Sequence, residues 1–132
     1  MLRREHWEQM RADVIKRAPQ EACGMVAGKD NRSLKIFEIS NSLQSPIRFR
    51  MDPQEQIEAL LMIEDKGWDL LAIYHSHPAG PQHPSATDVN EAAYPEALNL
   101  IWYPYRQDWS CRGFIIEEGI VNEIPIEIVA RE

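Results

Sequence analysis

The sequence predicts an α/β domain in which helices flank a mixed β-sheet. Apolar residues recur at helical spacing near the start of the chain, and short apolar segments of strand length follow them. Residues 70–77 form an apolar run that is typical of a central strand buried on both faces. Because no internal repeat, linker or low-complexity tract divides the chain, we expect a single domain over residues 1–132.

The first element is a helix. Trp7, Met10 and Val14 recur at helical spacing, which predicts an amphipathic helix over residues 5–17 that ends before Pro19.

Strands are expected next. Residues 22–27 are a short apolar segment, and the turn-forming residues 28–31 close it, which indicates a strand leading into a hairpin. Residues 34–39 have the length and apolar content of a second strand. We expect a loop over residues 41–46, and residues 47–51 are a candidate for a further short strand.

A second helix has clear start and stop signals. Asp52 can cap it, Pro53 suits its first position and Glu55 can complete a capping box. Gly67 supplies a stop. Three apolar residues fall on one face of this helix: Ile57, Leu60 and Leu61.

The middle of the chain combines a strand, a stiff loop and a third helix. The run over residues 70–77 is expected to be the central strand and carries two histidines at its end. Residues 78–84 contain three prolines and therefore cannot be the interior of a helix. A helix is expected to start at Ser85 and to end at Pro95.

Three strands complete the fold. We expect them over residues 98–103, 109–116 and 120–129, with Glu118-Gly119 as a hairpin turn between the last two. The last strand alternates, with isoleucines on one face and glutamates on the other: Ile124, Ile126 and Ile128 against Glu123 and Glu127.

Charge and hydropathy exclude two classes of partner. The net charge of −7 comes from 21 acidic and 14 basic residues with no run of Lys or Arg, which argues against nucleic-acid binding. The apolar stretches are far shorter than the roughly 20 residues of a membrane helix, and no apolar core follows the first basic residues. We expect a cytoplasmic protein that binds no membrane. Cys23 and Cys111 form no Cys-x-x-Cys pair and are expected to be buried, reduced thiols.

The most informative pattern is a possible open metal site. His75 and His77 project from the same face of a strand, because side chains two residues apart do so, and Ser76 points away. Asp88 could add an oxygen ligand, and Ser85 lies one helical turn before it. Two nitrogens and one oxygen leave one position of a tetrahedral zinc ion for water, as in a catalytic site. Two histidines at the end of an apolar strand are hard to justify energetically without a metal.

Each of these residues also has a simpler interpretation. Ser85 and Asp88 resemble a helix-capping pair, and Ser85 can serve both roles. Glu21 alone would be taken for a solvated surface residue. His83 is interpreted as a loop residue at the rim of the site, and His6 as a residue on an exposed helix face. Three tryptophans are assigned to the core or to an interface: Trp68, Trp102 and Trp109.

The spacing resembles the signature of the JAMM (MPN+) metalloproteases. Residues 75–78 read His-Ser-His-Pro, and residues 85–88, which follow after the seven residues 78–84, read Ser-Ala-Thr-Asp. Glu21, in Glu-Ala-Cys-Gly, matches the upstream Glu of that family. The resemblance spans nearly the whole chain and implies a single MPN-like (cytidine-deaminase-like) domain of the stand-alone prokaryotic type. Ser76 fits the peptidase branch, whereas RadC-type proteins carry Asn there.

The resemblance implies roles for five residues. His75, His77 and Asp88 would bind Zn²⁺, Glu21 would act as general base and Ser85 would donate a hydrogen bond to the oxyanion. The reaction would be hydrolysis after the C-terminal glycine of a ubiquitin-like or sulfur-carrier protein. An extended Gly-Gly tail suits such a site, since glycine allows close backbone approach and an exposed sheet edge can accept a strand.

Two alternatives remain open. A processing peptidase of sulfur-carrier metabolism would use the same chemistry to release an amino acid such as cysteine. A non-catalytic MPN scaffold would normally lack several of the five diagnostic residues, all of which this chain has.

Overall fold

The computed structural model describes residues 1–130, so the last two residues of the predicted domain lie outside it. The helices are α1 (Arg4–Arg17), α2 (Pro53–Asp65) and α3 (Ala86–Glu91). The strands are β1 (Leu2–Arg3), β2 (Cys23–Lys29), β3 (Arg32–Ile39), β4 (Asp69–Ser76), β5 (Leu98–Tyr105), β6 (Asp108–Glu117), β7 (Ile120–Ile124) and β8 (Ile128–Val129). Among the described residues, no helix has the length and apolar content to cross a bilayer.

The predicted mixed sheet is confirmed. Six strands are arranged in the order β3-β2-β4-β5-β6-β7, and only the β4–β5 pair within it is parallel. The connection between these two parallel strands carries α3, which begins ten residues after the end of β4. The short strands β1 and β8 pair with each other in a separate parallel ribbon. The apolar run identified in the sequence is therefore the interior strand β4, with β2 on one side and β5 on the other.

The two faces of β4 contribute to two hydrophobic clusters. Tyr74 packs on one face with the buried side of α1, where Met10 and Val14 lie, and with the fully buried Trp102. Ile73 packs on the other face, against a cluster that includes residues of β2 and α2: Cys23, Met25, Ile39, Met51 and Ala59. Because side chains alternate along a strand, His75 lies on the second face and Ser76 on the first.

A buried polar network ties α1 to the sheet. The Tyr74 hydroxyl donates to Asp13 over 2.6 Å, and Arg17 pairs with the same carboxylate while donating to the backbone carbonyl of Cys23 over 2.7 Å. Burial, followed by the charge of Asp13, raises the pKa of Tyr74 well above its ordinary value. Removing one partner of such a buried pair leaves the other charge uncompensated, at a cost of about 3–5 kcal/mol.

Residues 47–51 do not form the predicted strand. Their only sheet-like contact among the described residues is a single bridge between Asn41 and Met51. The carbonyl of Arg48 and the N–H of Arg50 are bound by the Asn41 side chain, and the Arg50 carbonyl accepts from Ser42. Because these backbone groups are already bonded to Asn41 and Ser42, they are not available for a ladder with a neighbouring strand.

The start of α2 agrees with the sequence only in part. The carboxylate of Asp52 accepts from the Glu55 N–H, as a helix cap does. A capping box also requires the Glu55 carboxylate to accept the backbone N–H of Asp52. This carboxylate accepts the N–H of Ser40 instead. The expected capping box is therefore wrong, whereas Gly67, with φ of 69°, follows the end of the helix as predicted.

The apolar face assigned to α2 is also wrong. Ile57 and Leu61 are 53% and 61% exposed, and Leu60 is half-buried. The residues that enter the core are Ala59 and Ile63. Because this helix has more apolar residues than one face can hold, periodicity alone could not identify the buried ones.

The predicted strand over residues 120–129 is divided in two. β7 ends at Ile124, immediately before Pro125, and β8 leaves the main sheet to pair with β1. A proline cannot donate to a strand ladder, which accounts for the break. The Glu118-Gly119 turn is confirmed, with φ of 51° and 78°.

Three further assignments concern single residues. His6 is buried rather than exposed, because its Nδ1 lies 2.7 Å from the Ser33 hydroxyl. Trp102 is a core residue, as expected. Cys23 is buried and Cys111 half-buried, and both thiols are free.

Candidate metal centre and active site

The two histidines lie where β4 meets the loop that follows it. His75 is in the strand, and His77, one residue beyond its end, continues the pairing with β5 by donating its N–H to the Trp102 carbonyl over 2.8 Å. The exposed fractions of the two histidines are 2% and 4%. Their Nε2 atoms are 3.1 Å apart, so the imidazoles face one point from the same side of the strand, as predicted.

Asp88 completes a triangle with these nitrogens. Its Oδ2 lies 3.2 Å from Nε2 of His75 and 3.1 Å from Nε2 of His77. Ligands of a tetrahedral zinc ion at bond lengths of about 2.0–2.1 Å would be about 3.3 Å from one another. The three atoms therefore have the types and separations that zinc requires, and the residues fit this metal.

The imidazoles are oriented in two different ways. Nδ1 of His77 lies 2.8 Å from the Pro81 carbonyl, which can only accept, so this nitrogen carries a hydrogen, and in the neutral imidazole the lone pair for a metal is therefore on Nε2. Nδ1 of His75 is buried and has no hydrogen-bond partner among the described residues. The ring of His75 is instead stacked on Phe49, with centroids 4.5 Å apart and planes inclined by 24°.

Charges in the cluster favour a cation. Burial opposes ionisation of Asp88, but hydrogen bonds to His75 and His77, the charge of His75 and the Ser85 N–H outweigh it and hold the pKa of Asp88 well below its usual range. Burial lowers the pKa of His75. Burial also disfavours the charged form of His77, but Asp88, Pro81 and Glu21 together raise its pKa above the ordinary value.

Glu21 faces the same cluster from the segment before β2. Its side-chain oxygen and the imidazole nitrogens lie within 4.8 Å of one another, and the residue is 4% exposed. Burial, with a smaller contribution from Asp88, raises the pKa of Glu21 to about 7, although His77 acts in the opposite direction. Glu21 could itself coordinate a metal together with the two histidines, and the oxygen of Asp88 lies 3.1–3.2 Å from both nitrogens.

Ser85 is the N-cap of α3. Its hydroxyl oxygen accepts from the Asp88 N–H over 3.0 Å, and its own N–H donates to Oδ2 of Asp88 over 2.8 Å. This is the reciprocal capping box that the alternative interpretation predicts. The cap uses the hydroxyl oxygen as an acceptor and does not use its hydrogen. His83 is exposed, and its one described hydrogen-bond contact is to the neighbouring Pro84 carbonyl.

A cavity of about 180 Å³ opens beside the cluster. His75 and Asp88 form part of its wall, and the rest includes apolar side chains from three segments: Phe49, Met51, Ile73, Ala92 and Tyr94. Sequence patterns did not indicate Phe49 as part of the site, nor Asn41, whose amide binds the carbonyl of Glu21. If a substrate were bound with one atom at the cluster, the adjoining part of the substrate would occupy this cavity.

Comparisons with known proteins show the family of this chain. Residues 3–112 match the family described as prokaryotic homologs of the JAB domain. A desampylase from Pyrococcus furiosus is 31% identical over 94% of this chain and 87% of its own length. A CysO-cysteine peptidase from Mycobacterium tuberculosis is 34% identical over 84% of this chain and 78% of its own.

Solved structures show the same fold. The solution structure of a protein from Desulfitobacterium hafniense is 33% identical, with a TM-score of 0.85 and coverage of 99% of this chain and 94% of that one. A JAB1/MPN domain protein from Archaeoglobus fulgidus, at 18% identity, has a TM-score of 0.62 and 97% coverage of both chains.

Proposed function

Because the chain belongs to the prokaryotic homologs of the JAB domain, we propose that it is a zinc peptidase that hydrolyses the bond after the C-terminal glycine of a ubiquitin-like or sulfur-carrier protein. The observation that carries this proposal is the triangle of Nε2, Nε2 and Oδ2 atoms, 3.1–3.2 Å apart, with the buried Glu21 beside it. A non-catalytic scaffold would have no use for this arrangement of ligand atoms.

His75, His77 and Asp88 would hold the zinc ion. When bound, the ion would lower the pKa of a water molecule to about 7 and polarise the scissile carbonyl. The low pKa of Asp88 keeps that carboxyl ionised, and the hydrogen bond from His77 to Pro81 keeps one imidazole in the tautomer that a metal needs.

Glu21 and Ser85 would carry the proton and the developing charge. The Glu21 carboxylate would accept a proton from the attacking water and pass it to the leaving amine, and a pKa of about 7 suits both transfers near neutrality. The Ser85 hydroxyl would donate to the oxyanion as the carbonyl becomes tetrahedral. Burial of Glu21 excludes most competing solvent from this transfer.

The names of the relatives support the substrate class. One is a desampylase and another a CysO-cysteine peptidase, so the same cleavage can be used in deconjugation or in amino-acid release. Both reactions break an amide bond that follows the carrier's terminal residue. They differ in the leaving group, which is a lysine side chain in the first case and a free amino acid in the second.

The experiment compares Glu21→Gln with Glu8→Gln, a control on the exposed side of α1. Both proteins should bind one zinc per chain, and only Glu21→Gln should lose turnover, by about 10²–10⁴-fold for removal of a general base. Substrates are a Gly-Gly-terminated carrier joined to a lysine or extended by cysteine, with casein as the negative control. Zinc-dependent degradation of casein, without cleavage of either carrier, would contradict the proposed specificity.

A further inference from the structure

Glu21 lies just outside the sheet, yet its backbone is held firmly. β2 begins only at Cys23, so no strand ladder fixes Glu21. Its N–H donates to the Ser45 carbonyl over 2.8 Å, and its carbonyl accepts from Nδ2 of Asn41 over 3.1 Å. Both partners belong to the segment over residues 41–51, which we call the Asn41 loop.

The Asn41 side chain is buried and uses its full hydrogen-bonding capacity. Nδ2 donates to the carbonyls of Glu21 and Arg48. Oδ1 accepts from the N–H groups of Leu43 and Arg50, each over 3.0 Å. Two carbonyls face the nitrogen and two N–H groups face the oxygen, so the orientation of the amide follows from its partners.

The same loop carries Phe49 to the ring of His75. The Asn41 amide therefore links the backbone of the proposed general base to the segment that stacks on a proposed zinc ligand. On the other side of Glu21, the Ala22 N–H donates to the Ser76 hydroxyl over 2.8 Å, and the Ser76 N–H donates to the Ala22 carbonyl over 3.0 Å. Glu21 is thus positioned between β4 and the Asn41 loop.

We propose that Asn41 is a positioning residue that fixes the Glu21 carboxylate relative to the zinc ligands. This inference rests on the proposed function, because it concerns the same reaction. A proton-transfer group must lie within hydrogen-bond reach of its partner, and a displacement of about 1 Å can cost on the order of 10²-fold in rate. The described hydrogen bonds of the Asn41 side chain do not reach the ligand atoms, so its effect on the rate per bound zinc should come through the proton-transfer step.

Two variants and one control test this role. Asn41→Ser removes all four contacts without adding charge, and Asn41→Asp keeps the two acceptor contacts but places an oxygen against the Glu21 carbonyl. Ser42→Ala is the control, since among the described residues the hydroxyl of this exposed neighbour hydrogen-bonds only to the Arg50 carbonyl. In the two Asn41 variants, kcat per bound zinc should fall by about 10²-fold with KM within about threefold of the parent, whereas zinc affinity should fall by no more than the roughly 10-fold expected for loss of the Phe49 ring.

A double-mutant cycle separates positioning from a general loss of structure. If Asn41 acts through Glu21, then Asn41→Ser should change the residual rate of Glu21→Gln by less than about threefold. The rates are measured with enzyme in excess of substrate, so that slow variants stay within range. Each rate is normalised to the zinc-bound fraction, which removes any contribution from unfolded protein.

Two results would overturn the inference. One is an unchanged kcat per zinc in a folded Asn41 variant, with only the melting temperature lowered. The other is the same fold-loss in the Glu21→Gln background as in the parent. If Asn41→Ser does not fold, Asn41→Asp carries the same comparison. A parent protein that binds no zinc or cleaves no carrier would instead refute the proposed function and is recognised before any variant is made.

Discussion

Ser85 has one observed role, as the cap of α3, and one proposed role, as the oxyanion donor, and the two differ enough in energetic cost to be separated. The hydroxyl oxygen caps α3 through the Asp88 N–H, and α3 has only six residues, none of them buried, so the cap is a large part of its local stability. Ser85→Ala should therefore cost about 1 kcal/mol at this helix. Loss of an oxyanion donor would cost about 2.7–4 kcal/mol in the transition state, which is a decrease of 10²–10³-fold in kcat.

Ser85→Gly provides the matched comparison. Glycine at an N-cap costs only a few tenths of a kcal/mol relative to serine, yet it lacks the hydroxyl just as alanine does. We expect equal losses of kcat in the two variants and a measurable loss of stability only in Ser85→Ala. Steady-state cleavage of a Gly-Gly-linked carrier, urea unfolding and zinc content are measured on both. A near-parental kcat in Ser85→Gly, with activity lost only where the helix is destabilised, would refute the oxyanion role.

Three further perturbations test the packing around the site. Gly24→Ala would place a Cβ atom in steric conflict with Cε2 of Tyr74 and the backbone oxygen of Phe37, so urea unfolding should show a loss of about 3 kcal/mol, and an unchanged midpoint would contradict this contact. Phe49→Ala should weaken zinc binding by about 10-fold in a chelator competition, because the His75 imidazole is held by the stacked ring rather than by a hydrogen bond at Nδ1. Equal zinc affinity in parent and variant would show that the ring does not hold the imidazole. Burial, followed by the charge of Arg3, lowers the pKa of His6 from 6.5, although Glu5 acts in the opposite direction. The unfolded chain therefore binds this proton more readily than the folded chain, and stability falls as the pH decreases below about 6.5. His6→Gln should therefore flatten the pH dependence of the unfolding free energy between about pH 7 and pH 5, and parallel curves for parent and variant would contradict the assignment.

The elements predicted best from sequence are those whose geometry is local. The two histidines converge because side chains two residues apart on a strand always share a face, and Ser85 meets Asp88 because three residues make nearly one helical turn. The apolar run of β4 likewise indicated a central strand, and its place inside the sheet confirms that. The MPN-like fold implied by the signature is confirmed by the family match. That these atoms bind zinc stays a prediction.

Features that depend on distant contacts could not be predicted. Nothing near Asn41 in the sequence indicates that its amide will bind the carbonyl of Glu21, 20 residues away. The ring of Phe49 reaches His75 only because the Asn41 loop folds back on itself. The sequence pattern places His6 on an exposed helix face, but Ser33 from β3 lies beside its ring. In each case the decisive partner comes from another element, whose position is set by the packing of the whole domain.

The separation of the two sheet faces has a practical consequence for single-molecule work. The buried side of α1 packs against the face of β4 that carries Tyr74, whereas the candidate metal ligands lie on the other face, so the exposed Glu8 lies on the opposite side of the sheet from the cavity. Burial raises the pKa of the Cys23 thiol to about 12 and that of Cys111 well above its ordinary value, which makes both poor nucleophiles near neutral pH. A maleimide dye or a surface tether should therefore react faster with Glu8→Cys than with the buried Cys23 or the half-buried Cys111, and it should leave the approach to the proposed cleavage site open.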